Sequence, residues 1–316
     1  MSTHPQGRLA ARVVAALAAL FALAALSWNW WAERNPQQER RLRVELQDQL
    51  VLSFPAAMQP ADERYGLVRT GSDGRRRLRV VLVHGLDEPG DIWTDLLPVL
   101  GSAGFETWEF RYPNDQGIDR SSDLLASNWT RIPGDLPVVL IGHSMGGLVI
   151  RDFVTRWRHP VAMLPQVAGA SVHGVILAGT PNQGSEWARL RVWLELRDQW
   201  AAGRQWGFSP FAGLHDGTGA AKVDLRPGSR FLDELNERPW PQEIPLSIIG
   251  GELLPSTPSL GDGVVATDSL AAPGAPPPIL VEASHRGMLV RLLESEPEPP
   301  AIRVILRLLD GQDRGD

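Results

Sequence analysis

The stretch "VVLIGHSMGGLVIRDFV", residues 138–154, joins two different local patterns. Residues 138–141 are apolar and mostly β-branched, as in a buried strand, and residues 148–154 place apolar side chains at helical spacing. The turn between them has the pattern G-x-S-x-G, in which a serine at the tip of a sharp bend leaves no room for β-carbons two positions away. The pattern predicts that Ser144 is a nucleophile on a strained turn. The alternative is a glycine-rich loop without a chemical role.

Further strand-like stretches lie on both sides of this motif. They are "RLRVVLVHG" (77–85), "FETWEFRYP" (105–113), "VHGVILAGTP" (172–181), "IPLSIIGG" (244–251) and "PPILVEAS" (277–284), beside "LPVVLIGH" (136–143). Helical patterns lie at 91–100 and 147–157, and others follow at 286–293 and 301–309. Strands that alternate with helices predict an α/β fold with a mostly parallel central sheet and helices on both faces.

One segment interrupts this alternation. Residues 183–239 separate two strands by more than a usual crossover, and "SEWARLRVWLELRDQWAAG" within them puts Trp187, Leu190 and Leu194 on one helical face. Long insertions at strand ends often form lids and substrate walls, so a lid-like insertion is predicted here. The alternative is an amphipathic helix that only packs on the core.

The N-terminal region contains an uncharged run, residues 13–31, that ends in a cluster of tryptophans. Its length is close to the ~20 residues that cross a bilayer as a helix, and tryptophans are typical of membrane interfaces. The favoured interpretation is an uncleaved N-terminal transmembrane helix. A cleaved secretory signal is the alternative, because two arginines precede the run and small residues near its end resemble a cleavage site.

The charges around this run bear on its orientation. Four arginines between residues 34 and 43 outnumber the two that precede the run, a bias that alone would not place the domain outside. The signal-like layout favours a single-pass protein of a bacterial inner membrane with its main domain in the periplasm. Secretion after cleavage is the alternative.

These patterns divide the chain into four regions. Residues 1–34 are predicted to be the anchor or signal segment, and residues 35–76 a linker helix with the first strands. The helix is predicted because Leu42, Leu46 and Leu50 recur every four residues. Residues 77–310 are predicted to form the main domain, which includes the insertion at 183–239, and residues 311–316 a polar tail.

Composition excludes several kinds of function. The net charge is −6 and no basic patch is present, which argues against a nucleic-acid partner. The chain has no cysteine, which excludes disulfides, thiolate catalysis and zinc–cysteine sites. The sequence contains no secure calcium motif, and no metal or cofactor is predicted.

A serine hydroxyl needs a base within hydrogen-bond reach and a carboxylate that orients the base. In the arrangement that accompanies a G-x-S-x-G turn, the order along the chain is serine, acid, histidine. Of the histidines after Ser144, only His285 follows the last predicted strand, where a loop can return over the sheet edge. His285 is therefore predicted as the base, and a surface-loop histidine is the alternative.

The acid is expected between the strand at 244–251 and His285, where Glu252, Asp262, Asp268 and Glu282 lie. Asp262 is favoured because two glycines flank it in a tight turn that can aim a short carboxylate into a site. Glu252, directly after the strand, is the second choice, and Glu282 lies inside the last strand. Asp262 could also be a turn residue that bonds only its own backbone.

Acyl chemistry at Ser144 also requires an oxyanion hole, formed by two backbone N–H groups that point at the developing negative charge. Met145, directly after the serine, is predicted to supply one of them. Leu86, in the loop "VHGLDEPGDIW" at 83–93, is predicted to supply the other.

Together these elements resemble the α/β-hydrolase superfamily, and within it the branch of bacterial triacylglycerol lipases and GPI inositol-deacylase-like serine esterases. The matching pieces are "LVHGL" (82–86) with Trp93, "GHSMGG" (142–147), "AGTPNQGS" (178–185), "DLRPGSRFLDELN" (224–236), "GDGVV" (261–265) and "SH" (284–285). The resemblance implies the α/β-hydrolase fold and implies that Asp262, in the "DGVV" element, is the acid of the triad.

Two departures from this pattern stand near the predicted site. Asp87 and Glu88 follow the His-Gly pair where such proteins usually carry small residues, which changes the shape and charge expected of the oxyanion loop. Asn182 stands where a histidine is frequent, which implies a change at the wall of the site.

The sequence therefore predicts a serine hydrolase of lipase or esterase type that cleaves carboxylic esters through an acyl-enzyme. Lipid-like or medium-chain acyl esters are favoured because the insertion is rich in Trp and Leu and the anchor holds the domain at a bilayer. The same triad also serves thioesterases and acyltransferases, which stay open as alternatives. A further alternative is a catalytically idle, membrane-tethered binding module.

Overall fold

The computed structural model of the protein describes residues 5–58, 65–71, 74–86, 88, 91–190, 216–291 and 298–314. Its strands are β1 (Gly66–Arg69), β2 (Arg79–Val83), β3 (Glu106–Arg111), β4 (Val138–His143), β5 (Val172–Ala178), β6 (Leu246–Gly251) and β7 (Ile279–Val281). They form one sheet in the order β1-β3-β2-β4-β5-β6-β7. β1 runs antiparallel to β3, and the other neighbouring pairs are parallel.

The helices are α1 (Pro5–Arg34), α2 (Pro36–Ser53), α3 (Pro55–Met58), α4 (Leu96–Ser102), α5 (Ile118–Asn128), α6 (Met145–Phe153), α7 (Ala220–Asp224), α8 (Arg230–Glu237) and α9 (Pro300–Arg314). Leu125 of α5 and Leu148 of α6 belong to the apolar core on one face of the sheet. Leu96 of α4 and Ile305 of α9 belong to the core on the other face. The predicted α/β architecture, with helices on both faces, is confirmed.

The central strands β2 and β4 are buried along their whole length, which explains their nearly continuous apolar sequence. Val83 at the end of β2 lies opposite Gly142 of β4, and Gly142 lies opposite Leu177 of β5. The carboxyl ends of these parallel strands therefore meet at one edge of the sheet, where ligand sites of open α/β sheets form. The loops that carry the predicted site residues all leave from this edge.

Two predicted helical patterns differ from the structure. Residues 286–290 form turns and a bend, although the apolar spacing over 286–293 predicted a helix, and residues 292 and 293 of that prediction lie outside the described residues. The spacing arises because Met288 and Leu289 are packed into the core from an irregular loop. In the insertion, Glu186–Leu190 forms a short 3₁₀ turn, and the rest of that predicted helix, including Leu194, lies outside the described residues. α9 runs on to Arg314, into the segment predicted to be a polar tail.

α1 contains one segment, Ala15–Arg34, that is long and apolar enough to cross a membrane. A signal sequence near the N-terminus would satisfy the same criterion. The following helix α2, predicted as a linker, packs on the main domain. There Arg40 forms ion pairs with Asp119 and Asp224, and Arg120 pairs with Asp48.

Candidate active site

Ser144 occupies the turn between β4 and α6 in a conformation that side chains rarely adopt, with φ 52° and ψ −128°. Such a conformation costs about 1–3 kcal/mol and persists only where the surroundings enforce it. Two contacts do so. The Ser144 N–H donates to the carbonyl of Ala178 over 2.9 Å, and a β-carbon on Gly146 would lie 2.1 Å from the carbonyl oxygen of Val83. The glycine is therefore required by the close approach of α6 to β2.

His285 lies on the loop after β7, and Asp262 lies in the turn after β6. The two side chains are in contact. His285 Nδ1 lies 2.7 Å from Asp262 Oδ2, and the His285 N–H donates to the Asp262 carbonyl over 3.0 Å. Asp262 is 2% exposed and His285 9%. The other carboxylate oxygen of Asp262 accepts from the N–H groups of Val264 and Val265 over 2.9 and 2.8 Å. Asp262 is thus both a turn residue and the partner of His285.

Glycines at two strand ends make room for this pair. A β-carbon on Gly179, which has φ 60° and follows β5, would lie 3.2 Å from His285 Nδ1. A β-carbon on Gly251, the last residue of β6, would lie 2.7 Å from the β-carbon of Asp262. Larger residues at either position would push the imidazole or the carboxylate out of place.

Ser144 and His285 line the same cavity, which has a volume of about 450 Å³. Its apolar lining consists of Leu86, Pro181, Trp187, Ala188, Leu225, Val264 and Val265. Trp187 is 48% exposed, so it also contributes to the outer rim. Three lining residues, Trp187, Ala188 and Leu225, belong to the predicted insertion. The described part of the insertion therefore contributes to the wall of the cavity.

Of the two predicted oxyanion donors, Met145 directly follows the serine and Leu86 lines the same cavity as the serine. Met145 is the first residue of α6, where backbone N–H groups have no partner within the helix. Leu86 lines the cavity from the loop after β2. That loop is held from below, because the Tyr112 hydroxyl donates to the His84 carbonyl over 2.6 Å and the two rings stack.

The second-choice acid takes no part in this arrangement. Glu252 lies at the start of the loop after β6, where its backbone N–H donates to the Val281 carbonyl. Asp262, further along the same loop, contacts His285. Asn182, expected at the site wall, is fully buried and joins two elements instead. Its side-chain oxygen accepts from Arg151 over 3.0 Å, and its amide donates to the Leu270 carbonyl over 2.6 Å.

The contact between Glu88 and His143 was not predicted from the sequence. Glu88 Oε2 lies 2.6 Å from His143 Nδ1, and both side chains are buried. Burial alone would lower the pKa of His143, but the Glu88 charge and hydrogen bond raise it above its usual value. Against the opposite effect of burial, His143 also lowers the pKa of Glu88 to about 2. The two side chains therefore form a buried ion pair beside Ser144.

Lys222 was also missed. Its buried ammonium lies 3.1 Å from Asp115 Oδ2, and it lines the cavity together with Glu88 and Arg286. Lys222 is the one lysine of the chain and belongs to no sequence motif, so no sequence pattern indicated that it lines the cavity. Within the described residues, no group of His, Asp and Glu side chains has the arrangement of a metal site.

Comparison with solved structures gives the same fold at low sequence identity. The metagenomic carboxyl esterase MGS0156 aligns with a TM-score of 0.58 and 17% identity, over 84% of this chain and 90% of the esterase. The Staphylococcus hyicus lipase aligns with a TM-score of 0.55 and 14% identity, over 78% of this chain and 98% of the lipase. The mature Bacillus licheniformis lipase BlEst2 aligns with a TM-score of 0.51 and 16% identity, over 80% of this chain and 96% of the lipase.

Among curated proteins, none matches the sequence. The sequence model of the alpha/beta hydrolase family matches residues 80–300, which is more than half of the chain and spans every strand from β2 to β7. The strained serine turn and the His285–Asp262 pair lie within that match. The protein therefore belongs to the alpha/beta hydrolase family.

Proposed function

We propose that the protein is a serine hydrolase that cleaves carboxylic esters through an acyl-enzyme on Ser144. The observation that carries the proposal is the 2.7 Å contact between His285 Nδ1 and Asp262 Oδ2, made beside a strained serine that shares a cavity with the histidine. A buried carboxylate fixes the imidazole so that Nδ1 carries a proton and Nε2 is left to act as a base.

In the proposed reaction, Ser144 Oγ attacks the ester carbonyl carbon while His285 Nε2 takes the hydroxyl proton. The carbonyl oxygen becomes an oxyanion, which the N–H groups of Leu86 and Met145 stabilise. Collapse of this intermediate breaks the ester C–O bond, and the leaving alcohol takes the proton from His285. Water then adds to the acyl-enzyme with His285 again as base, and the acid departs as Ser144 regains its proton.

The cavity supports an ester with an apolar acyl group. Its lining is mostly aliphatic and aromatic, and a volume of about 450 Å³ fits a ligand of moderate size. The charged side chains of the lining are ion-paired, Lys222 with Asp115 and Arg286 with Glu88 and Asp91. The structural neighbours named as lipases and an esterase are consistent with this substrate class.

The position of α1 supports a substrate that resides in a membrane. The buried Arg226 binds the end of this helix, with contacts of 2.7 Å to Glu33 and 3.4 Å to the Ala32 carbonyl. Leu225, the adjacent residue, lines the cavity. If α1 is retained as an anchor, the cavity wall is tied directly to the end of the membrane segment. Acyl esters in the bilayer are therefore the proposed substrates.

Hydrolysis of p-nitrophenyl esters by the full-length protein in detergent tests the proposal. The wild type is compared with Ser144→Ala and with a control, Ser127→Ala, which removes an exposed hydroxyl on α5. Ser144→Ala is expected to lower kcat by about 10⁶-fold or to background, and Ser127→Ala to change nothing. In a series from C2 to C12, longer acyl chains are expected to give higher kcat/KM. Turnover by Ser144→Ala equal to that of the wild type would refute the mechanism.

A further inference from the structure

The ion pair of Glu88 and His143 connects three loops of the site. Glu88 lies on the loop after β2, two residues beyond Leu86, and His143 is the last residue of β4, directly before Ser144. Besides its 2.6 Å contact with Glu88, His143 places Nε2 3.0 Å from the backbone carbonyl oxygen of His285. One buried imidazole thus joins the oxyanion loop, the serine turn and the histidine loop.

The partners fix the protonation of His143. A backbone carbonyl can only accept a hydrogen bond, so Nε2 carries a proton, and an ionised carboxylate can only accept, so Nδ1 carries the other. The raised pKa of His143 and the lowered pKa of Glu88 agree with this charged form. Because both ring nitrogens donate to protein groups, neither is available to take a proton from Ser144 or a substrate.

Glu88 also lies close to the serine turn and to the histidine loop. A β-carbon on Gly85 would lie 2.9 Å from Glu88 Oε2 and 2.8 Å from the β-carbon of Ser144, which shows how closely the carboxylate and the serine flank this backbone. The second carboxylate oxygen lies 3.7 Å from an Arg286 nitrogen, on the histidine loop. The rings of His143 and His285 are 4.7 Å apart between centroids.

We propose that Glu88 and His143 are positioning residues that hold His285 in line with Ser144 and keep the Leu86 loop at the oxyanion position. This inference rests on the proposed function. The hydrogen bond that His143 Nε2 donates fixes the main chain of His285, and the bond that His285 Nδ1 donates to Asp262 fixes its ring. Glu88 secures the imidazole and ties it to the loop of Leu86.

Glu88→Gln and Glu88→Ala separate this role from a general contribution to stability. Gln keeps the side-chain length and can donate to an unprotonated Nδ1, so a neutral His143 still donates from Nε2 to His285. We expect kcat of Glu88→Gln to stay within about fivefold of the wild type. Ala leaves Nδ1 without its partner, and the resulting misplacement of His285 is expected to lower kcat about 10- to 100-fold, with KM changed less than about threefold.

The test is steady-state kinetics of the full-length protein on a p-nitrophenyl ester, with Tm measured for each variant. The control is Glu252→Ala, which removes a carboxylate at the same sheet edge but outside the cavity lining, and which is expected to keep wild-type kinetics. If Glu88→Ala does not fold, Glu88→Asp decides. It keeps the charge one methylene short of His143, and the expected result is again a lowered kcat with an unchanged KM.

The outcomes distinguish the inference from the function on which it rests. A selective loss of kcat in Glu88→Ala or Glu88→Asp, with recovery in Glu88→Gln, supports the positioning role. Equal kcat in the folded variants and an active wild type would overturn that role and leave the proposed function intact. A folded wild type that hydrolyses no ester and takes no fluorophosphonate label would overturn both.

Discussion

Asp262 divides its two carboxylate oxygens between two tasks. One oxygen accepts from the backbone of Val264 and Val265 and holds the turn, and the other accepts from His285. The sequence could place this aspartate in a turn, because two glycines flank it, but it could not show that both interactions are made together. That requires the turn after β6 and the loop after β7 to meet, which is a property of the fold.

Asp262→Asn tests whether the two carboxylate oxygens have these separate partners. In Asp262→Asn the amide oxygen is expected to keep the bonds from Val264 and Val265, which turns the amide N–H₂ toward His285 Nδ1. An NH₂ group can only donate and cannot accept a hydrogen bond from Nδ1–H, so the imidazole adopts the wrong tautomer and kcat falls by about 10⁴-fold. Glu252→Gln, the matched control, is expected to retain full activity in the same ester assay. The assignment of the acid is wrong if the two variants exchange these results.

The buried pair of Glu88 and His143 gives a prediction for stability against pH. The Glu88 pKa is lowered from 4.5 to about 2, so its contribution is full above pH 4.5 and is lost as the pH falls toward 2. The His143 pKa is raised from 6.5, so its contribution is full below pH 6.5 and is lost as the pH rises through the raised value. The pair therefore stabilises the fold most between these limits.

We expect the Tm difference between the wild type and Glu88→Gln to be largest from pH 4.5 to 6.5, smaller at pH 3, and smaller as the pH rises through the raised pKa of His143. Differential scanning fluorimetry across this range measures the Tm of each protein. Subtracting the Tm of Glu88→Gln from that of the wild type removes the pH effects that both proteins share. A difference that stays constant over the whole range would show that the two side chains do not form an ion pair in the folded protein.

At the level of elements, the β4–turn–α6 unit was predictable because its sequence must satisfy strict steric limits. The glycines around Ser144 leave room for the neighbouring backbone, and the strand is apolar because both of its faces are covered. The contact of Glu88 with His143 was not predictable, since 55 residues separate them and only the sheet order brings their loops together. The turns at 286–290 were missed for another reason, because burial from a loop can imitate helical spacing.

Two glycine substitutions test this view of the elements. Gly146→Ala is expected to destabilise the protein by about 3 kcal/mol, because its β-carbon would lie 2.1 Å from the Val83 carbonyl oxygen. Gly311→Ala in α9, where a β-carbon meets nothing within 4 Å, is expected to stabilise it by about 0.5–1 kcal/mol. Urea unfolding followed by circular dichroism gives both values. Equal effects of the two substitutions would contradict the packing described for α6.

In the whole molecule, the N-terminal helices are joined to the wall of the cavity through buried charges. Arg226 contacts Glu33 and Glu39, and Glu39 is fully buried beside Arg43. Breaking such a buried network leaves an unpaired charge and is costly, unlike the loss of a surface ion pair. The sequence predicted the apolar run and the linker helix from their patterns. It could not show that the linker packs against the insertion, since that contact joins residues nearly 190 positions apart.

The anchor interpretation predicts that the full-length chain, with residues 1–34 retained, stays in the membrane fraction after carbonate extraction. The apolar segment Ala15–Arg34 is the physical reason, since its transfer out of the bilayer is unfavourable. Immunoblotting of the fractions measures membrane retention, and the intact mass of the purified protein shows whether residues 1–34 are still present. A soluble product that begins near residue 28 would instead identify the segment as a cleaved signal.

Labelling with a fluorophosphonate measures whether Ser144 is a nucleophile activated by His285. The full-length wild type is treated with the probe and digested, and the modified peptide is located by mass spectrometry. We predict a single phosphonyl adduct on Ser144, formed much more slowly in His285→Ala and absent in Ser144→Ala. An unlabelled wild type, or equal labelling of all three proteins, would show that Ser144 is not a nucleophile activated by His285.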